Sequence, residues 1–268
     1  MTRRITWRKA GYGQRWGELL TREATTHPAK FPHGPLFRLI TFGFEEGWWG
    51  RGDLVVDPMA GVGCGGILFS AAGVRWWGLE LDPRYHKWGQ QSLDGLREAN
   101  YDLGHPQPEL CLGDARDLPM YFDGECDAIV TSPPYAESLH NPGGCRSTVK
   151  TGTSHFHDPA DSYGGANGQV GRLKWDAYWE SMEHIYGQCL EVLKPGGIFV
   201  ANVRNYCKRG KLVLLSRATG ACLQRVGFEP VASIRCMMGG SGSMFRHMNK
   251  AKGLPTSDYD HFIVMRST

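Results

Sequence analysis

The feature that most constrains this chain is a repeated alternation. Short apolar runs, each closed by Asp, Gly or Pro, take turns with stretches of helical periodicity. Leu54-Val-Val-Asp57 reads as a buried strand and Gly63 to Ala72 as a helix. Val74-Arg-Trp-Trp-Gly-Leu79 is the next strand and Pro83 to Asn100 the next helix. Glu109-Leu-Cys-Leu112 and Asp127-Ala-Ile-Val130 continue the series. Trp175, Trp179, Met182 and Ile185 stand at helical spacing and mark a helix over Asp176 to Leu193, which Lys194-Pro-Gly-Gly197 should stop. Ile198-Phe-Val-Ala201 then reads as a strand and Leu212 to Val226 as a helix. Phe228 to Met237 and His261 to Arg266 suit an antiparallel closing pair. Strands joined through helices pair in parallel, so the pattern predicts an α/β chain with helices on both faces of a mostly parallel sheet. No charged or Pro/Ser-rich linker divides the 268 residues, and one domain is expected over 1–268.

Ligands of such sheets bind at the carboxyl ends of the strands, and the chemistry is concentrated there. Asp57-Pro-Met-Ala-Gly-Val-Gly-Cys-Gly-Gly66 follows the first strand, with Gly61, Gly63 and Gly66 in a GxGxxG spacing. A dinucleotide site has similar glycines, but Asp57 and Pro58 precede them here. A carboxylate repels a pyrophosphate and attracts a ligand carrying an ammonium and a sulfonium. S-adenosylmethionine carries both. Glycines let the backbone approach it closely. Glu80 ends the second strand, where a carboxylate can accept both ribose hydroxyls of an adenosine. Asp82 suits the N-cap of the helix opened by Pro83. Asp114, past the third strand, is either an acceptor for the adenine amino group or a turn former.

Thr131-Ser-Pro-Pro-Tyr135 ends the fourth strand and faces the same cleft. Consecutive prolines hold their carbonyl oxygens in fixed directions. Ser132 adds a hydroxyl acceptor and Tyr135 a flat face for stacking. Together these suit an aromatic amine lying flat on the ring, its N–H hydrogens taken by oxygens and its lone pair turned toward the sulfonium methyl. An amine within a duplex must first be flipped out of the stack.

Asp57-Pro-Met-Ala-Gly-Val-Gly63, Gly78-Leu-Glu-Leu-Asp-Pro83, Thr131-Ser-Pro-Pro-Tyr135, His27-Pro-Ala-Lys-Phe-Pro32 and Leu193-Lys-Pro-Gly-Gly197 together resemble the S-adenosylmethionine-dependent DNA amino-methyltransferases, over roughly Thr26 to Arg266. The resemblance implies a Rossmann-like class I methyltransferase fold with a seven-stranded sheet, six strands parallel and one antiparallel. It implies catalysis at Ser132, Pro133, Pro134 and Tyr135. Cofactor contacts are implied at His27, Lys30, Phe31 and Pro32, at Asp57, Pro58, Ala60, Gly61 and Gly63, at Glu80 and Leu81, at Asp114 and Ala115, and at Thr131. The cofactor is S-adenosylmethionine, the product S-adenosylhomocysteine, and no metal is expected. In the family a serine at position 132 goes mostly with N4-methylation of cytosine, and Asp or Asn with N6-methylation of adenine. The implied partner is double-stranded DNA with a flipped base, in a restriction-modification setting. N6-adenine, an RNA amine and a non-catalytic binding role are the alternatives. No cysteine follows a proline, which disfavours cytosine C5 chemistry.

Charge adds little on its own, the net being +3. Its distribution is more informative. Val203 to Arg217 carries Arg204, Lys208, Arg209, Lys211 and Arg217 without an acid, and Arg235 to Lys252 carries Arg235, Arg246, Lys250 and Lys252 likewise. Two polar, Gly-rich stretches, about 140–172 and 239–259, are too long for simple connections and are expected to serve target recognition. Candidate phosphate contacts are Arg146, Lys150, Arg172, Lys174, Arg204, Lys208, Arg209, Arg246 and Lys250. His155, His157 and Asp158 read as a solvated loop in preference to metal ligands. Eight cysteines without a CxxC pair fit a reducing cytosol. The first residues, MTRRITWRKAGYG, lack the apolar core of a secretory signal, and no apolar run approaches bilayer length.

Overall fold

Strand β2 (Leu54–Asp57) lies near the middle of the sheet, and its side chains alternate between two cores. Val55 belongs to one apolar cluster and Val56 to the other. The same period of two runs along β6 (Leu193–Arg204), where Ile198 and Val200 face one side and Phe199 and Ala201 the other. A strand covered on both faces must be apolar throughout, which explains the unbroken hydrophobic runs. Burying one side chain such as Phe199 stabilises the fold by about 1.5–3 kcal/mol.

The computed structural model describes residues 2–8, 16–17, 19–27, 29–100, 104–136, 166–208, 211–237, 251, 253 and 255–268. Its remaining strands are β1 (Arg3–Trp7), β3 (Arg75–Glu80), β4 (Glu109–Leu112), β5 (Cys126–Thr131), β7 (Tyr206–Lys208), β8 (Lys211–Val213), β9 (Glu229–Met237) and β10 (Tyr259–Arg266). The helices are α1 (His33–Glu45), α2 (Cys64–Ala71), α3 (Pro83–Asn100), α4 (Leu118–Tyr121), α5 (Trp175–Val192) and α6 (Leu215–Val226). Helices α1, α2 and α3 pack on one face with Leu36, Ile67 and Leu93. Helices α4, α5 and α6 pack on the other with Leu118, Met182 and Leu223.

Among the described residues the main sheet has eight strands in the order β1-β9-β10-β6-β5-β2-β3-β4. Strand β10 runs antiparallel to both its neighbours, and the other pairings are parallel. This is the Rossmann-like class I methyltransferase arrangement, with one correction to the expected seven strands. Arg3–Trp7 adds an eighth at the edge, in parallel with β9. Trp7 secures it by packing on Phe42 and Phe262.

Two boundaries also differ from expectation. The helix over 212–226 begins only at Leu215, because Lys211–Val213 pairs with Tyr206–Lys208 as a separate hairpin. Lys194-Pro-Gly-Gly197 does follow the end of α5, yet it continues directly into β6. Its backbone pairs with the C-terminus, Gly196 donating to Ser267 O at 3.1 Å and Ser267 to Gly197 O at 3.0 Å.

Trp76 explains three glycines that ligand chemistry does not. A Cβ at Gly78 would stand 2.2 Å from its ring, and one at Gly65 or Gly66 2.7 Å from it. The indole fills the groove between β3 and α2, so Gly66 serves helix-to-sheet contact.

Candidate functional site

The ends of β2, β3, β4 and β5 open onto one cleft of about 970 Å³, its mouth included. His27, Lys30, Phe31, Asp57, Pro58, Ala60, Gly61, Glu80, Leu81, Asp114 and Ala115 line it with Ser132 and Pro134. The remaining candidates take up positions around it. Pro32 precedes α1, Gly63 precedes α2, Thr131 is buried behind Asp57, Pro133 is buried, and Tyr135 is half-buried.

Gly61 and Gly63 both take left-handed backbone, φ +58° and +72°, so the loop turns without a steric penalty. A Cβ at Gly61 would also meet the His27 ring at 3.4 Å. The Gly61 amide donates to Glu80 Oε2 at 2.8 Å, and the Asp82 amide donates to Glu80 Oε1 at 2.8 Å. The glycine loop is thereby clasped to the end of β3. Glu80 is half-buried at the end of β3, and desolvation pushes its carboxyl up to about 8 against the pull of the two amides, with Asp82 and Asp57 adding to the rise. Asp57 is likewise raised to about 7 by burial. The Thr131 hydroxyl lies beside it, outside hydrogen-bond geometry, and with the Met59 amide at 3.1 Å it opposes the rise. Two acids lifted in this way fit a ligand that brings positive charge and hydroxyl donors.

On the opposite wall, Lys30 Nζ donates to the carbonyls of Thr25 and His27 at 2.6 and 2.5 Å. Burial holds its ammonium below the usual lysine range. His27 packs edge-on against Tyr85 at 4.3 Å, and its pKa is pushed down to about 3, chiefly by burial and then by Lys30 and Arg84. It is therefore a neutral wall. Phe31 stacks on Phe262 of β10 and accepts a hydrogen bond from Trp16 Nε1 at 2.7 Å through its backbone oxygen. These contacts fix Phe31 against the sheet.

The donor set fits S-adenosylmethionine. Asp57 would meet its cationic part, Lys30 its carboxylate, Glu80 the ribose, and the open backbone at Gly61 would allow close approach.

The turn after β5 is braced from behind. The Tyr178 hydroxyl on α5 donates to the Pro134 carbonyl at 2.9 Å. Ser132 Oγ donates to Asn202 O at 3.4 Å. Tyr135 lies parallel to Tyr206, with ring centres 5.9 Å apart and planes 3° apart.

The other candidates stand as follows. Asp114 lines the cleft, accepts from the Arg116 amide at 3.0 Å and is ion-paired with its guanidinium, so it also caps the turn after β4. Arg204 is bound by both carboxylate oxygens of buried Asp260, at 2.5 and 3.0 Å, which gives it a structural role. Arg172 closes the 3-10 turn Val170–Arg172, and Lys174 is exposed just before α5. Lys208 lies in β7. Arg146, Lys150, Arg209, Arg246, Lys250 and the His155–Asp158 stretch lie outside the described residues. Among the described residues no cluster of three or more His, Cys, Asp or Glu could hold a metal, and no helix is long and apolar enough to cross a membrane.

Sequence reasoning missed Met59, Cys64, Tyr85, Gln169, Val170 and Ile185, which also line the cleft. Tyr85 was findable, standing one helical turn into α3 from Asp82. Gln169 and Ile185 reach the cleft only through tertiary packing and left no local signal.

The comparisons with known proteins agree on the architecture. No protein-family model matches the chain. It is 39% identical over 94 residues to the tRNA (guanine(10)-N2)-dimethyltransferase of Methanothermobacter thermautotrophicus, covering 34% of this chain and 25% of that protein. It is 26% identical over 177 residues to the release factor glutamine methyltransferase of Bifidobacterium longum, covering 65% of this chain and 54% of that protein. The chain thus spans between a quarter and about half the length of these curated relatives. Among solved structures, magnesium protoporphyrin IX methyltransferase from Synechocystis PCC 6803 with bound S-adenosylmethionine superposes with a TM-score of 0.52 at 11% identity, over 94% of this chain and 88% of that one. The chain thus has the Rossmann-like class I methyltransferase fold, with its cleft at the carboxyl ends of the strands.

Proposed function

We propose that the protein transfers a methyl group from S-adenosylmethionine to an exocyclic amine of a nucleic-acid base, with N4 of a flipped-out cytosine in DNA as the target favoured by Ser132. The observation that carries the reading is that Ser132 and Pro134 line the same cleft as Asp57, Lys30 and Glu80. An amine-holding turn and a site suited to a cationic adenosyl ligand share one space.

When bound, the cofactor supplies an electrophilic methyl group on a positively charged sulfur. The chain's own work is positioning, which can contribute about 7–11 kcal/mol of barrier reduction. Ser132 donates to Asn202, which leaves its lone pairs to accept from the amine. Pro134 lines the cleft, and its carbonyl keeps one lone pair beside the Tyr178 bond, which makes it the second acceptor. Tyr135, backed by Tyr206, offers the stacking face. With both N–H hydrogens directed at oxygens, the nitrogen lone pair points out of the base plane toward the methyl. The leaving proton passes to solvent, because among the described residues nothing beside Ser132 makes it a strong base.

A second reading keeps the chemistry and changes the polymer. The relative with 39% identity is named for N2 of guanine in tRNA, also an exocyclic amine. The fold does not distinguish these substrates. Incubation with labelled S-adenosylmethionine and either DNA or tRNA, followed by digestion and nucleoside identification, tests both. Label in N4-methylcytosine supports the first reading. Label only in N6-methyladenine overturns the choice of base, and label only in tRNA overturns the choice of polymer.

A further inference from the structure

A chain of hydrogen bonds joins the glycine loop to a segment far along the sequence. Glu80 holds the Gly61 and Asp82 amides, one on each carboxylate oxygen. Asp82 is itself buried. Its Oδ1 caps α3 by accepting from the Arg84 amide at 2.9 Å. Its Oδ2 accepts from the Ala166 amide at 3.3 Å and from Gln169 Nε2 at 3.5 Å. Gly168, between them, takes φ +87°, and a Cβ there would stand 2.3 Å from Arg116 Nη2 and 3.6 Å from Asp114 Oδ2. Ala166 to Val170 is therefore pinned on one side after β3 and on the other after β4.

Between these pins Gly168, Gln169 and Val170 line the cleft. Asn167 and Gly168 are exposed to solvent, while Val170 is buried. The segment is one backbone thick, with solvent outside and cleft inside. Packing of one valine cannot order such a strip. A buried carboxylate and a glycine fitted against an ion pair do so.

We propose that Ala166–Val170 is the wall of the cofactor site over the nucleoside, with Gln169 and Val170 facing the adenosine. This reassigns the end of a stretch that the sequence pattern gave to target recognition. The proposal rests on the S-adenosylmethionine reading of the cleft. Its placement follows from the strands that hold it. The ends of β3 and β4 border the nucleoside side of such a site, and the end of β5 carries the reacting turn. Val170 supplies an apolar surface and Gln169 an amide, which suit the face and edge of a purine.

The test is titration calorimetry on the full chain with S-adenosylmethionine and with 5′-deoxy-5′-methylthioadenosine, which keeps the nucleoside and lacks the amino acid. Gln169→Ala and Gly168→Ala are expected to weaken both ligands about tenfold, to similar extents. In the unaltered protein, amides over 166–171 should exchange more slowly once S-adenosylmethionine is bound. If Gly168→Ala misfolds by circular dichroism, Gln169→Ala and the exchange measurement decide alone. Unchanged affinities and unchanged exchange, alongside lost binding in Glu80→Ala, would overturn the wall and leave the cofactor reading intact. Failure of the unaltered protein to bind either ligand would overturn the cofactor reading and the wall with it.

Discussion

Tyr178 and Pro134 are 44 residues apart in sequence and joined by one hydrogen bond of 2.9 Å. The phenol is buried in the core beneath α5, and its burial drives its pKa far upward, so it remains a donor. It is a positioning residue that fixes the carbonyl direction at the end of the proline pair. Tyr178→Phe removes the donor and leaves a carbonyl unpaired, which should cost about 1–3 kcal/mol of stability. Turnover should fall about tenfold or more, because small misplacements at a reacting centre are expensive. Affinity for S-adenosylmethionine should be unchanged. Paired kcat and calorimetric measurements check this; a variant that turns over normally would show that the turn is rigid without Tyr178.

The parallel rings of Tyr135 and Tyr206 make a different prediction. Tyr135→Ala removes the stacking face and should nearly abolish methyl transfer while S-adenosylmethionine still binds. Tyr135→Phe keeps the face and should retain most activity, since stacking needs the ring more than the hydroxyl. Tyr206→Ala should act through the nucleic-acid KM. Steady-state kinetics on all three variants, with cofactor binding measured separately, distinguish these roles. Equal loss in the Phe and Ala variants of Tyr135 would point to the hydroxyl and away from stacking.

For Arg204 the expected effect lies in stability and not in nucleic-acid affinity. Its guanidinium grips Asp260, which is 2% exposed, through two oxygens. Arg204→Ala strands that carboxylate in the protein and should cost about 2 kcal/mol. The arginine is itself partly exposed, which keeps the figure at the low end for a broken pair. Urea denaturation measures the loss. The slope of log affinity against log salt should stay fixed, whereas a residue that contacts phosphate changes it by about one. A changed slope with unchanged stability would keep Arg204 in the phosphate set.

The Arg204–Asp260 pair was not legible in the sequence, for a reason general to this chain. Elements announced by local pattern were legible. Val55 and Val56 announced a strand buried on both faces, Pro83 a helix start, and the glycines after Asp57 a loop open to close approach. The joint position of Asp57, Glu80 and Ser132 at strand ends placed them on one cleft by sequence alone. What sequence could not carry was pairing across long separations. Asp260 lies 56 residues beyond Arg204, and Gln169 lies 87 beyond Asp82. Asp114 had two local readings of equal merit, and the structure adds the Arg116 contact that makes it a cap at the rim of the cleft. Arg3–Trp7 carries too short an apolar pattern to announce an edge strand, and it owes its place to Trp7 and to the neighbouring β9.

Asp57 and Glu80 give the cleft a pH dependence of definite sign. Burial raises their carboxyls to about 7 and about 8, above the value of an unfolded carboxylate. A raised carboxyl stabilises the ligand-free fold fully at low pH, and that contribution is lost as pH climbs through the folded value. His27 and His261 act in the opposite sense. Burial depresses them to about 3 and about 4, so their contribution is present above the ordinary histidine range and lost as pH falls toward those values. Above about pH 7.5 an unfolded histidine is already neutral, so from there to about pH 8 only the carboxyls of this group titrate, and the ligand-free protein should become less stable as pH rises. A cation beside Asp57 and ribose hydroxyls on Glu80 favour the ionised forms, so binding should release protons near neutral pH. Affinity for S-adenosylmethionine should rise between pH 6 and 8, by up to about tenfold per unit for each proton released. Calorimetry in two buffers of different ionisation enthalpy counts those protons, and Asp57→Asn should reduce the count. Binding that releases no proton and ignores pH over this window would mean that neither carboxyl meets the ligand in the way the cleft suggests.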